Sequence, residues 1–322
     1  AAAQWIIHYG DRDGDGFLEY GTRSAKGLRN QGWKDSSDSI SHRDGSLAKS
    51  PIALCEVQGY AYAAFNAMSY LAAHLGRHNE IQYWHEQAQQ LQANFLRHFW
   101  WDEENTCYLA LDGDKQPCAV VSSNPGHCLW TGIVPEDKAQ RLIVRLMRDD
   151  MFSGWGTRTL STQAVRYNPM SYHNGSVWPH DTALAGAGIA RYGGKVEAGR
   201  LLRAMIETSL YYEDARLPEL HCGFPKRPGY RPTRYPVACS PQAWATGAPY
   251  MLTNALLGFK PDAEQQRLVL DRPHLPDGIN TLEIDGLHLG SRHIHLCFTR
   301  AGETIEVAPG RNNQADIQRR DE

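Results

Sequence analysis

No apolar run in this 322-residue sequence approaches the roughly 18 residues that would span a membrane. There is no block of basic residues, and a net charge of −3 argues against nucleic acid as the main partner. None of the seven cysteines (Cys55, Cys107, Cys118, Cys128, Cys222, Cys239 and Cys297) falls in a C-x-x-C pair. An odd, scattered set fits neither a disulfide framework nor a zinc site, so free thiols in a reducing, cytoplasmic setting are expected. His173 and His180 lack the i,i+4 partner of a zinc helix. No signal peptide opens the chain. It starts without Met on Ala1–Ile7, which reads as the middle of a helix, so an upstream segment is expected.

Aromatics are plentiful, with nine Trp and fifteen Tyr. Such a supply suits a pocket for stacking ligands, although large helical cores also use it. Apolar periodicity predicts helices over 54–75, 79–100, 135–147, 177–192, 195–211 and 241–257. Long Gly/Pro/aromatic-rich loops at 10–50, 102–134, 148–176 and 212–240 connect them, and loops of that length usually serve a site. After residue 260 the pattern turns to short alternating runs at 267–271, 281–284, 293–299 and 304–308. Turn signals separate them at Pro276-Asp277-Gly278 and Asp285-Gly286. The expected architecture is mainly α: an (α/α)6 toroid of helical hairpins over 1–260, with a small antiparallel β domain and a loose polar tail over 261–322. A closed ring of six hairpins needs twelve helices. Only about eight or nine are legible, so the first helices of such a ring are expected to be missing.

Three segments carry chemistry. In Asn30-Gln31-Gly32-Trp33-Lys34-Asp35-Ser36-Ser37-Asp38 an indole, a lysine and two carboxylates fall within six residues of a loop. An indole can stack on a sugar ring while an acid reaches its hydroxyls or glycosidic oxygen; an exposed acidic loop is the plainer reading. Asp11-Arg12-Asp13-Gly14-Asp15-Gly16-Phe17 sets three carboxylates at alternate positions before a glycine, a pattern suited to Ca²⁺. It departs from an EF-hand at Thr22, the twelfth position. The expected ligands are Asp11, Asp13, Asp15, a backbone carbonyl near Phe17, and Glu56 to complete the shell of a structural calcium. In Leu217-Pro218-Glu219-Leu220 a lone carboxylate stands in an apolar setting, suitable for a general base or for an ion pair with Arg216 or Arg227.

Taken with Ile52–Tyr60 and Asn174–Asp181, these segments resemble the amylo-α-1,6-glucosidase type catalytic domain of bacterial and archaeal glycogen-debranching-enzyme-like proteins. The resemblance runs from the start to about Gly258. It implies a six-hairpin glycoside hydrolase acting on α-linked glucosides or α-glucans, related to trehalases, glucoamylases and processing α-glucosidases. It implies Asp35 as general acid, with Asp38 its neighbouring competitor, and Glu219 as general base. The resemblance also implies an upstream β-rich domain, expected to be absent from this stretch of sequence. The expected partner is an oligosaccharide or α-glucan, with no organic cofactor, no nucleic acid and no membrane. Trp33, Asp38, Tyr172, Trp178, His180 and Asp181 are expected to line the sugar subsites. A non-catalytic carbohydrate-binding toroid and a toroid epimerase are the alternatives.

Overall fold

The structure, a computed structural model, describes residues 1–24, 26–310 and 315–320. It has eight α-helices among these residues: α1 (Ala2–Trp5), α2 (Cys55–His74), α3 (His78–His98), α4 (Asn124–Thr131), α5 (Glu136–Leu146), α6 (Pro179–Arg191), α7 (Lys195–Ser209) and α8 (Ala243–Leu257). A π-helical turn, Ile6–Gly10, continues α1. Six of the helices fall where periodicity placed them. The unexpected one is α4, inside what reads as a loop. It is only eight residues long, with Pro125 in its first turn and a left-handed Gly132 closing it. Helices of all kinds account for 37% of the described residues, so long connections make up much more of the chain than the expected mainly-α architecture suggests.

The helices pair as hairpins: α2 with α3, α4 with α5, and α6 with α7. The first members of these pairs, together with α8, pack side by side in the order α2, α4, α6, α8. Glycines set their spacing. A Cβ on Gly59 of α2 would come within 2.7 Å of Thr131 Oγ1, and one on Gly126 of α4 within 2.6 Å of the Ala185 Cβ on α6. One on Gly186 of α6 would meet the Leu252 side chain of α8 at 2.3 Å. Tightest in kind is Gly188, where a Cβ would lie 2.5 Å from the Trp130 amide nitrogen and 2.8 Å from the Gly126 carbonyl. Backbone cannot step aside as a side chain can. The helices bury a continuous core that includes Phe65, Trp84, Phe95, Phe99, Leu129, Leu142, Leu201 and Leu252.

The expected long loops are partly pinned. Strand β1 (Ala53–Leu54) pairs antiparallel with β4 (Ala110–Leu111), and β2 (Trp100–Trp101) with β3 (Thr106–Cys107). A second apolar cluster of Ile40, Ile52, Leu54, Leu109, Cys118 and Leu160 lies beneath segments 40–54 and 109–120. Single bridges link Val177 to His221 and His221 to Arg234, drawing the 212–240 connection against the start of α6.

After α8, Gly258 takes a left-handed φ of 66° and the chain enters β5 (Phe259–Asp262) at once, ahead of the expected boundary. β5 pairs antiparallel with β6 (Arg267–Asp271). Strands β7 (Thr281–Leu289), β8 (Arg292–Ala301) and β9 (Thr304–Pro309) form a meander. Two expectations are corrected here. Asp285-Gly286 does not end a strand: β7 runs through it with a bulge between Ile284 and Leu287. Nor is the tail uniformly loose, since β10 (Asp316–Arg320) pairs parallel to β6, so the sheets are not wholly antiparallel. Positions 311–314 and 321–322 of that tail lie outside the described residues. The two sheets share a core of Leu257, Leu268, Leu270, Leu296 and Phe298. Lys195 Nζ donates to the carbonyls of Ala255, Leu256 and Asp271, tying α7 and the C-terminal end of α8 to β6. No helix among the described residues is long and apolar enough to cross a membrane.

Gly188→Ala is expected to destabilise the fold by roughly 1–3 kcal/mol through overpacking of α4 on α6. Gly247→Ala, in open space on α8, is expected to gain roughly 0.5–1 kcal/mol. Chemical denaturation of the two variants checks both; equal effects would show that α4 and α6 do not meet at backbone contact.

Candidate active site

The first turns of the four adjacent helices meet at one end. On α2 the first turn carries Glu56, on α4 Asn124 and His127, on α6 His180 and Asp181, and on α8 Trp244. Each neighbouring pair is joined there. Asn124 Nδ2 donates to Glu56 Oε1 at 2.9 Å, and His127 Nε2 lies 2.8 Å from Asp181 Oδ1. The His180 and Trp244 rings stack at 3.9 Å and 11°. His127 Nδ1 also meets the Tyr60 hydroxyl at 2.6 Å.

The loop at 30–38 lies across this row. Trp33 stacks on His127 at 5.8 Å and meets His180 edge-on at 4.8 Å, His173 at 5.6 Å and Trp178 at 5.7 Å. Lys34 is buried, and its ammonium donates to Asn124 Oδ1 at 2.6 Å and to the Thr159 carbonyl at 2.7 Å. Asn30, also buried, donates to the Ser36 carbonyl and to Ser39 Oγ, closing the loop on itself. Ser36 Oγ meets His173 Nδ1 at 2.8 Å.

The two expected catalytic carboxylates differ in exposure. Asp35 is exposed and makes no side-chain hydrogen bond among the described residues. Glu219 is 9% exposed; Oε1 accepts from the Tyr172 hydroxyl at 2.8 Å and Oε2 from the Cys239 amide at 3.2 Å. Arg216 pairs with Asp214 rather than with Glu219. Tyr172 reports on both acids: burial raises its pKa first, and the Glu219 and Asp35 charges push it further.

Several expected subsite residues take other places. Trp178 is 1% exposed, its Nε1 donating to the Tyr172 carbonyl and to Ser176 Oγ, so it backs the aromatic cluster and offers no open wall. Asp181 is fully buried and spends Oδ1 on His127. Asp38 accepts from Asn174 Nδ2 at 3.1 Å, a contact that fastens the loop to segment 168–176. His180 keeps both ring nitrogens buried without a partner, as Trp33 does its Nε1 and Asp181 its Oδ2.

The acidic loop comes together as its spacing suggests: one carboxylate oxygen each from Asp11, Asp13 and Asp15 lies within 4.8 Å of the others. One expected ligand, Glu56, does not join it. Glu56 is buried beside Asn124 and Lys34, because its place in the first turn of α2 directs it toward the row of helix ends. The Phe17 amide donates to Asp15 Oδ1, and its ring packs on Phe99 at 5.1 Å. In addition, Lys115 Nζ lies 2.8 Å from Asp13 and 2.6 Å from Asp15, and also pairs with Glu19.

Burial governs the charges at the helix ends. It lowers the Lys34 ammonium to about 8, against the pull of Asp181 and Glu56. It raises the Glu56 carboxyl, with His127, Asn124 and Lys34 opposing. Burial works against Asp181 too, yet the His127 hydrogen bond and the nearby positive charges hold it below its ordinary range. Desolvation drops His180 to about 4 and His173 to about 3, so both rings are neutral near pH 7.

Sequence reasoning missed Lys34, Asn124, His127 and Trp244 as members of this site. The 30–38 motif includes Lys34, but its partners stand 90 and 125 residues away.

The family model described as "Mannosylglycerate hydrolase MGH1-like glycoside hydrolase domain" matches residues 21–222, which hold Trp33, Asp35, Glu56, His127, Asp181 and Glu219. The chain belongs to this glycoside hydrolase family. Among solved structures, it is similar to a sialidase at 14% identity and a TM-score of 0.68, covering 92% of this chain and 29% of that one. The GH63 mannosylglycerate hydrolase from Thermus thermophilus, in complex with glucose, aligns at 16% identity and a TM-score of 0.50, over 62% of this chain and 44% of its own. Neutral trehalase Nth1 from Saccharomyces cerevisiae aligns at 15% identity and a TM-score of 0.52, over 69% and 41%. At these identities the likeness shows the fold alone: helical hairpins and small sheets, with neighbours of the α/α-toroid glycosidase type. The chain thus spans less than half the length of each of these three structures. A search of the curated proteins finds no match.

Lys34 provides a test of the buried row. Its ammonium titrates near 8 when folded and near 10.5 when unfolded. Between those values the unfolded chain holds a proton that the folded one has released. The burial penalty is therefore full below pH 8 and fades as pH rises to 10.5. The rise in unfolding free energy over that range is expected to be about 3 kcal/mol greater in the wild type than in Lys34→Met. Lys195, also lowered to about 8, contributes equally to both. Identical pH slopes in denaturant titrations would mean that Lys34 reaches water.

Proposed function

We propose that this glycoside hydrolase domain cleaves α-linked glucosides or short α-glucans with inversion, Asp35 serving as general acid and Glu219 as general base. The supporting observation is the pair of carboxylates acting on one tyrosine. Tyr172 donates to Glu219 and feels the charge of Asp35, so residues 184 positions apart act on one side chain. Their settings suit opposite roles. Asp35 is free of hydrogen bonds and open to a leaving group. Glu219 is oriented by a hydroxyl and an amide, which hold a carboxylate ready to take a proton from water. In the reaction Asp35 protonates the glycosidic oxygen as the C–O bond breaks. Water attacks the anomeric carbon from the far side and passes a proton to Glu219. Inverting enzymes keep the two carboxyl groups roughly 6.5–9.5 Å apart to admit that water.

The glucoside preference rests on the amylo-α-1,6-glucosidase resemblance of the blocks at 11–20, 30–36, 52–60, 174–181 and 217–220. In this reading the four-helix row is an arc of a six-hairpin toroid, and an upstream β-rich domain accompanies it in the whole protein. The family match favours a second reading, mannosylglycerate as substrate. Sugar release from α-1,4- and α-1,6-linked glucosides and from mannosylglycerate separates the two. Asp35→Asn and Glu219→Gln are each expected to lose on the order of 10²–10⁴ in rate while ligand binding survives. Asp38→Asn should stay near wild type, because Asp38 is engaged with Asn174. Loss in Asp38→Asn with retention in Asp35→Asn would move the acid to Asp38. Binding without turnover throughout would favour a carbohydrate-binding domain.

We also propose that Asp11, Asp13 and Asp15 take a structural Ca²⁺ in competition with Lys115, which would withdraw toward Glu19. Millimolar CaCl₂ is then expected to raise the Tm of the wild type, and to raise that of Lys115→Met more. Unchanged melting of both proteins in CaCl₂ relative to chelator would show that the ammonium is the only cation this loop takes.

A further inference from the structure

We infer that Trp244 is the platform of a second sugar subsite, one that takes a neutral pyranose adjoining the ring attacked between Asp35 and Glu219; this rests on the glycosidase reading above. Trp244 is the second residue of α8. One face of its indole is covered by His180, parallel at 3.9 Å, and His180 is in turn braced by Trp33 at 4.8 Å and Trp178 at 5.6 Å. Yet Trp244 is 43% exposed, whereas Trp178 beside it is 1% exposed and Trp33 is half-buried. The cluster thus contains one indole that is rigidly backed and open on its other side. A flat apolar surface fixed in place and left in water is suited to stacking against the C–H face of a sugar.

Its position relative to the chemistry follows from the chain. The segment entering α8 contains Cys239, whose amide holds Glu219 Oε2, so four residues separate that contact from the indole. In the same connection Tyr235 packs on Tyr172 at 5.5 Å, and Tyr172 holds the other oxygen of Glu219. Glu219 is therefore held by Tyr172 of the 148–176 connection, Tyr235 of the 212–240 connection packs on that tyrosine, and Trp244 follows at the start of α8.

The chemistry of this surface restricts the ligand. From Pro236 to Phe259 the sequence has no Asp, Glu, Lys, Arg or His. His180, the ring behind the indole, is neutral near pH 7 because burial depresses it to about 4. A carboxylate-bearing aglycone such as glycerate would find no cation on this segment. A second neutral sugar loses nothing by that absence, which points to a disaccharide or longer oligosaccharide.

Calorimetry in a Glu219→Gln background tests this without turnover, using glucose, maltose, maltotriose and mannosylglycerate as probes. Trp244→Ala is expected to weaken maltotriose about tenfold, with glucose changed less than about twofold, and Trp244→Phe is expected to recover part of the loss. Melting temperatures identify any variant that fails to fold, and Trp244→Phe then carries the comparison. Equal losses for glucose and maltotriose, or none for either, would overturn the subsite. So would mannosylglycerate binding that depends on Trp244 while maltotriose fails to bind. A chain-length effect in a protein that hydrolyses none of these probes would leave the subsite standing and overturn the catalytic reading alone. Absence of binding by all four would overturn both.

Discussion

The site depends on the side-by-side approach of α2, α4, α6 and α8, made possible where Gly59, Gly126, Gly186 and Gly188 leave no side chain between them. With the helices that close, first-turn residues reach across each gap: Glu56 to Asn124, His127 to Asp181, His180 to Trp244. Helix N-termini favour negative charge and offer unpaired amides, so Glu56 and Asp181 are suited to their first turns. The row acts as a floor on which the Trp33–Asp35 loop is laid.

What fastens that loop is a buried ammonium. Lys34 gives its protons to neutral acceptors, the Asn124 amide and the Thr159 carbonyl, while Glu56 and Asp181 supply negative charge from a greater distance. Burying a charge in this way costs stability, as the depressed titration of Lys34 shows. The compensation is positional. Lys34 points inward and fixes the backbone, so Asp35, the next residue, points out. Trp33, lying on His127 and against His180, prevents the loop from sliding along the row. The neighbouring carboxylate Asp38, held by Asn174, anchors the far end.

Much of this was legible in the sequence, and the misses have physical reasons. Periodicity located the long amphipathic helices because each buries one face. It passed over α4 because eight residues with a proline and a glycine near the start carry no readable period, although that glycine is what lets α4 touch α6. The carboxylates Asp35 and Glu219 could be singled out from their settings, but that Tyr172 donates to Glu219 and feels the charge of Asp35 is a long-range fact. The acidic loop asks for Glu56 only because a coordination shell needs another oxygen; no local pattern reveals that the first turn of α2 points elsewhere, or that Lys115 lies among those acids. The polar strand Asp316–Arg320 looks like a tail because its partner, β6, precedes it by about fifty residues and pairs in parallel. Trp178 and Trp244 are alike in the sequence, and only packing distinguishes the buried indole from the open one.

The central claim is that an acid and a base on opposite sides of a sugar act on one bond in a single displacement. Proton NMR of the first minutes of hydrolysis of an α-linked oligosaccharide reads this directly, before mutarotation mixes the anomers. The account predicts that the released sugar first appears as the β-anomer. An initial α-anomer would contradict it, because retention requires a covalent intermediate that a base acting through water does not form.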